Sequence, residues 1–320
     1  MSDNPFTADP SVKERLDAIT KDRGEAIHIA IETILNGRTR IVADNLGGVI
    51  TADEAKSLCE WFALEGIEQL MLLVLPHAQK LARPQISAFE VGAVGLERDT
   101  GAIIVGGNIE FPGTHLGLTL HGEGFVATRA FSRGHALAMI ALEEAHPCGH
   151  CRQYLSEFAT SSALVLIDPL GHRLTLGDLY PWPFDPAYLG ESGAVPGKEY
   201  WPDLQLEPNT IPPNVAAKLE WAGRRAYAPY SKCPSAVVLG LQDGGLIAGV
   251  TIESVAYNPT IGPMQAALVD LVAHGYEYAD IAEAALAAPR GGFVDFTAST
   301  AELLGRIAPD VRLQTAAWAR

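Results

Sequence analysis

Apolar residues recur at helical spacing along the first quarter of the chain. Ile27, Ile29, Ile31, Ile34 and Leu35 follow the three-to-four-residue period of an amphipathic helix. Residues 11–83 are predicted to be helical on that pattern. Within them, Thr51-Ala52-Asp53-Glu54 has the form of a capping box and opens a further helix. From Phe89 the period changes. Residues 89–96 are a short apolar run, Asp99-Thr100-Gly101 supplies a turn, and residues 102–106 form a second run, which predicts a hairpin. A helix over 123–133, a strand over 137–142, a helix over 148–159 and a strand over 163–167 follow. Strands alternating with helices predict a three-layer α/β/α unit built on a mixed sheet.

Residues 177–213 break every period. Tyr180-Pro181-Trp182-Pro183-Phe184 begins a stretch that also holds Pro186, Pro196, Pro202, Pro208, Pro212 and Pro213. Proline cannot donate to helix or sheet ladders, so this segment is predicted to be an ordered arm crossing a surface. Beyond it the hairpin pattern returns. Cys233-Pro234-Ser235-Ala236-Val237 stands where Phe89-Glu90-Val91-Gly92-Ala93 stood, Asp243-Gly244-Gly245 supplies the turn, and Thr251-Ile252-Glu253 replaces Asn108-Ile109-Glu110. Twenty-one residues separate Phe89 from Glu110, and twenty separate Cys233 from Glu253. The chain therefore reads as an internal duplication. Its expected parts are a helical segment over 1–80, a first domain over 81–176, the arm over 177–213 and a second, degenerate domain over 214–320.

Composition narrows the function. At 320 residues, 48% hydrophobic and 19% charged, the chain can bury substantial cores. The net charge of −15 disfavours a polyanionic partner such as nucleic acid and suits a small neutral substrate. No apolar run approaches the roughly 20 residues of a membrane span, and the N-terminus lacks an export-signal pattern, so the expected location is cytoplasmic. Four cysteines are too few for a disulfide framework, and two of them lie close together in Cys148-Gly149-His150-Cys151.

That pair acquires meaning beside His121-Gly122-Glu123. One imidazole and two thiolates are a sufficient ligand set for a zinc ion that keeps a position for water, and such a water is nucleophilic at neutral pH. Cys148 and Cys151 are one helical turn apart, so both sulfurs can face one point, and a helix start favours thiolate over thiol. His121 enters from the start of the preceding helix. Glu123 is free to carry protons rather than bind metal. His-x-Glu followed twenty-five residues later by Pro-Cys-x-x-Cys is the zinc-deaminase pattern.

Residues 83–160 resemble the catalytic domain of cytidine deaminases, most closely in the run Pro147 to Gln153. Phe89-Glu90-Val91-Gly92-Ala93, Asn108-Ile109-Glu110 and Pro229-Tyr230-Ser231-Lys232 carry the same likeness. The two-copy layout resembles the longer, homodimeric branch, whose second domain has lost its metal site. The resemblance implies one zinc per chain on His121, Cys148 and Cys151, proton transfer by Glu123, and hydrolysis of cytidine or 2'-deoxycytidine in pyrimidine salvage. It further implies that Asn108 and Glu110 bind the ribose hydroxyls, that Phe89 packs on the pyrimidine, and that Phe184 closes a neighbouring subunit's site. By residue type alone, Phe89 also suits a core and Phe184 a ring pinning the arm. The family usually has alanine at Gly122; if the carbonyl there contacts the cytosine amino group, glycine keeps that contact but loosens the turn by about 0.5–1 kcal/mol.

Other residues read as accessory. His146 and His150 flank the cysteines, with side chains expected in solvent or behind the ligands. Cys59 lies in an apolar helical segment as an inert core thiol. The second copy has Cys233 for Phe89, Thr251 for Asn108 and Met264 near the place of Glu123, with no second Cys-x-x-Cys. It is expected to serve as scaffold and dimer surface. The competing readings are a deaminase of a modified or antibiotic cytosine nucleoside, a catalytically silent zinc protein, a Cys-x-x-Cys redox protein and a polynucleotide deaminase, the last opposed by the acidic charge.

Overall fold

The structure is a computed structural model that describes residues 6–143, 146–159 and 161–319. Helix α1 (Pro10–Asn36) starts on Asp9, whose carboxylate accepts from the Ser11 amide, with Pro10 where a missing N–H costs nothing. Strand β1 (Val49–Ile50) precedes α2 (Ala52–Trp61), which opens on the capping box between Thr51 and Glu54 as the spacing predicts. Then come α3 (Ile67–Gln79), β2 (Gly92–Glu97), β3 (Ile103–Gly107), α4 (Gly122–Arg133), β4 (Leu137–Leu142) and α5 (Gly149–Leu155). Strands β5 (Val165–Ile167) and β6 (Arg173–Thr175) and the single turn α6 (Leu176–Leu179) complete the first half.

The helical stretch is interrupted where sequence alone ran it on. Arg38 donates to the Val49 carbonyl and to both carboxylate oxygens of Glu54, and this holds residues 37–51 as a loop ending in β1. Helix α5 also ends earlier than its apolar pattern suggests, because Glu157 turns to meet the second half of the chain.

The first sheet has the order β1-β3-β2-β4-β5-β6; β4 and β5 run parallel and the other neighbours antiparallel. Side chains alternate between its faces with the strand period. Val94, Ile103, Val105, Met139 and Ala141 join the core under α1, α2 and α3. Ala93, Ile104, Ile140 and Leu142 point into a second core with Phe125, Val126 and Ala130 of α4 and Tyr154 of α5. The expected three-layer α/β/α sandwich is present.

The second half repeats it. Helix α7 (Pro213–Gly223), β7 (Ala236–Leu241), β8 (Leu246–Val250), α8 (Pro263–Ala273), β9 (Ile281–Ala288), α9 (Thr297–Ile307) and β10 (Leu313–Ala317) form a sheet of order β10-β9-β7-β8 with helices packed on it. The likeness extends to irregularities. Register shifts between Leu96 and Glu97 against β4, and between Gly240 and Leu241 against β9. Isolated bridges join Arg83 to Ile109 and Ile109 to Leu120, and likewise Tyr227 to Ile252 and Ile252 to Ile261. Ala88 and Lys232 both adopt φ 55°. A Cβ on Gly106 would lie 2.3 Å from Phe125 of α4, and one on Gly249 2.0 Å from the Ala267 amide of α8, so each helix rests on a glycine of its hairpin. Duplication is thus written in the backbone.

The two halves share a core. Helices α4 and α8 pack against each other, and apolar residues of both belong to one buried cluster. Arg129 of α4 pairs there with Asp270 of α8 at 3.0 Å. The proline-rich arm runs between the halves. Tyr180 donates to Gln153, Ala194 bonds both Glu157 and Ala159, and Tyr200 and Trp201 both donate to the Arg224 carbonyl.

Candidate metal centre and active site

Two helix starts converge on one point. His121 is the N-cap of α4 and Cys148 the N-cap of α5, each in extended backbone just outside its helix. Cys151 lies one turn inside α5 and is buried, and its amide donates to the Cys148 sulfur at 3.5 Å. His121 Nδ1 is 3.4 Å from Cys151 Sγ and 3.6 Å from Cys148 Sγ. A tetrahedral ion with Zn–N near 2.05 Å and Zn–S near 2.3 Å needs an N···S edge of about 3.6 Å. One donor atom from each residue lies within 4.8 Å of the others, so the set fits zinc in both chemistry and spacing.

The electrostatics follow from the same geometry. The Cys148 thiol is held down to about 4, chiefly by the hydrogen bond with the Cys151 thiol and also by the backbone N–H groups of Cys151 and His150. Cys151 is pushed up by that same bond and by burial. Glu123 sits in the first turn of α4, only 4% exposed, and burial raises its carboxyl above the usual range. It does not belong to the converging donor group, so it can gain and lose a proton beside it.

The remaining residues singled out from sequence occupy the rim and the adjoining loop. Phe89 is 60% exposed and is not a core residue, because β2 begins only at Gly92. The buried Asn108 accepts from the Val91 amide and donates to the Phe89 carbonyl. Glu110 accepts from the Ile86 and Ser87 amides and the Ser87 hydroxyl. Burial pushes its carboxyl up, but these bonds outweigh that and hold it below the usual range. A Cβ on Gly122 would stand 3.0 Å from the Ala93 Cβ, so glycine here lets α4 approach β2. Phe184 is partly exposed, stacked on Tyr188 with ring centroids 5.6 Å apart, and its carbonyl accepts from Gln153.

His150 lies away from the three donors, its Nε2 3.2 Å from the Asn258 carbonyl of the second half. His146 turns toward His172, with ring centroids 5.2 Å apart. Cys59 is half-buried, and desolvation raises its thiol. Sequence reading missed Glu157, a fully buried carboxylate that accepts from the Tyr227 and Tyr230 hydroxyls and the Val255 amide. It ties the end of the cysteine-bearing helix to the second half. The only signal for it was the Pro229-Tyr230-Ser231-Lys232 stretch, which names one partner. Among the described residues of the second half, no group of metal-ligating side chains converges. No helix among the described residues is long and apolar enough to cross a membrane.

Two family models, both described as the cytidine and deoxycytidylate deaminase zinc-binding region, match residues 64–167 and 207–301, one in each copy. A cytidine deaminase of Shewanella amazonensis is 33% identical over 84% of this chain and 88% of its own length. One of Vibrio atlanticus is 30% identical over 90% of this chain and 95% of its own. A crystal structure of cytidine deaminase from Mycobacterium tuberculosis is 32% identical, covering 37% of this chain and 96% of that one, with a TM-score of 0.33.

Proposed function

Because the chain belongs to the cytidine deaminase family, we propose that it hydrolyses cytidine and 2'-deoxycytidine to uridine and 2'-deoxyuridine, with Glu123 as the proton carrier. The observation that carries this reading is the convergence of His121 Nδ1, Cys148 Sγ and Cys151 Sγ beside a buried carboxyl outside the donor group. His121, Cys148 and Cys151 hold the zinc, which when bound supplies a water nucleophilic at neutral pH. Glu123 takes one proton as water adds to C4 and passes it to N3, then takes the second from the new C4 hydroxyl and delivers it to the leaving amine. Ammonia departs and a carbonyl remains. A carboxyl raised by burial is suited to that traffic, since its affinity for a proton lies closer to neutrality.

Phe89 offers an exposed aromatic face to the pyrimidine, and Gly122, the first residue of α4, would present its backbone to the base. Three bonds occupy Glu110, whose carboxylate has about four lone-pair sites, leaving one for a ribose hydroxyl. Asn108 keeps an N–H and a lone pair beyond the bonds it makes to Phe89 and Val91. The enzyme acts in the cytoplasm as a homodimer. The exposed apolar rings of Phe89, Trp182, Phe184 and Tyr188 are surface that a second copy covers, with Phe184 reaching the neighbouring site.

The test is zinc content and loss of cytidine absorbance measured on one purified sample. About one zinc per chain and turnover are expected. Glu123→Ala should keep zinc and lose at least ~10²–10⁴-fold in rate. Wild-type turnover by that variant would overturn the proton assignment, and zinc without turnover would favour a silent homologue.

A further inference from the structure

A second cluster of metal-ligating side chains stands on the strand side of the cysteine helix and has no part in the chemistry above. We propose that His146, Asp168 and His172 form a separate site for a divalent transition-metal ion, one that clamps the loop leading into Cys148. One donor atom from each of the three lies within 4.8 Å of the others. Asp168 follows directly on β5 and is only 4% exposed. One of its oxygens accepts the Leu170 and His172 amides, each at 3.0 Å, so the carboxylate is fixed before any ion arrives. The other lies 2.8 Å from His172 Nδ1. Donors at right angles around a nickel, copper or zinc ion, with bonds near 2.1 Å, would stand about 3.0 Å apart. His146 meets His172 edge to face, with an interplanar angle of 79°.

The donor set decides the class of ion. Two imidazoles and one carboxylate suit zinc, nickel or copper, whereas calcium and magnesium take oxygen donors almost throughout. No sulfur takes part, which separates this site chemically from the one at Cys148 and Cys151. His146 is exposed and His172 partly so, so the ion would exchange with solvent. Asp168 and His172 belong to the turn between β5 and β6, while His146 stands two residues before Cys148. An ion here would therefore tie that turn to the approach of a catalytic ligand.

The experiment uses the zinc-loaded full chain, dialysed against excess Zn²⁺ or Ni²⁺ and then analysed for metal. The wild type should take up about one ion per chain beyond the catalytic one, and His172→Ala and His146→Ala should each lose it. Cytidine turnover in both variants should stay within about twofold of wild type. Cobalt gives an independent readout: filling the thiolate site produces a sulfur-to-metal charge-transfer band, and the additional ion should add absorbance without strengthening that band. His172→Ala also removes a ring that packs the turn, so His146→Ala, whose ring is exposed, decides the matter if the first variant folds poorly. Saturation of the wild type at one ion, or an additional ion that survives both substitutions, would overturn the proposal.

Discussion

Arg129 is the test of how tightly the two halves depend on each other. Its side chain is 1% exposed, yet it makes four hydrogen bonds at the seam. Nη1 donates to Asp270 Oδ1 at 3.0 Å and to Asn45 Oδ1 at 2.7 Å, and Nη2 donates to the carbonyls of Asn45 and Gly47. Arg129→Met keeps most of the apolar stem and removes the guanidinium. The Asp270 carboxylate, 13% exposed, is then left without its cation. The Gly47 carbonyl loses its donor, while Asn45 keeps a bond from Arg133. Stranding one partner of a buried pair costs about 3–5 kcal/mol, and an unpaired buried carbonyl about 1–3. These terms overlap, so a total loss of about 4–6 kcal/mol is expected in urea unfolding of the zinc-loaded protein. Replacing both partners should be gentler, because a buried ion pair is costly to desolvate. Arg129→Met with Asp270→Leu should recover at least ~2 kcal/mol over Arg129→Met alone. A loss below about 1 kcal/mol for Arg129→Met, or no recovery in the double variant, would refute the argument.

Two further expectations come from local geometry. Gly122→Ala gains up to about 1 kcal/mol of helix propensity but places a methyl 3.0 Å from the Ala93 Cβ. The two effects nearly cancel, so stability should move by less than about 1 kcal/mol and cytidine turnover should survive; a variant that fails to fold would show that β2 cannot yield. His77, on α3, is 5% exposed with its Nε2 2.9 Å from His28 Nδ1, and burial followed by the His28 charge pulls it down to about 4. The unfolded chain then binds the extra proton between pH 6.5 and 4, so this contribution is complete above 6.5 and is lost as pH falls toward 4. At about 1.4 kcal/mol per unit, less solvent screening, it amounts to about 1–2 kcal/mol. His77→Leu should flatten the stability curve across that window, and an unchanged slope would count against the assignment.

What could be read from sequence depended on how local each feature is. Cys148 and Cys151 lie one turn apart at one helix start, so spacing alone turns both sulfurs toward one point, and His121 and Glu123 lie two residues apart at another. The duplication was legible for a similar reason, since a hairpin and its following acidic residue repeat at nearly constant separation. The shared core was not legible, because periodicity says that α4 and α8 have apolar faces but not that those faces meet. The same holds for His146, which reaches Asp168 and His172 only through the fold. Strand β1 is two residues long and shows no period of its own. Phe89 falls in an apolar run, yet the positive φ at Ala88 and the late start of β2 leave it outside the sheet.

The second copy also separates the parts of the site that serve as scaffold. Glu253 accepts from the Tyr230 and Ser231 amides just as Glu110 accepts from those of Ile86 and Ser87. An anchoring carboxylate therefore persists in a half with no converging ligands among its described residues, so its first task is to hold the preceding turn. Thr251, in place of Asn108, turns its hydroxyl to the Ser235 carbonyl and remains fully buried. By contrast, the proposed metal donors of the first half all sit at helix starts; Gly262 caps α8 where His121 caps α4, and Met264 stands in the place of Glu123. Neither position takes part in strand pairing, and Met264 is buried in the core that the two halves share. The second half thus keeps its sheet, its turn and the packing of α8 against α4, the helix that His121 caps and that bears Glu123, with no converging ligands among its described residues.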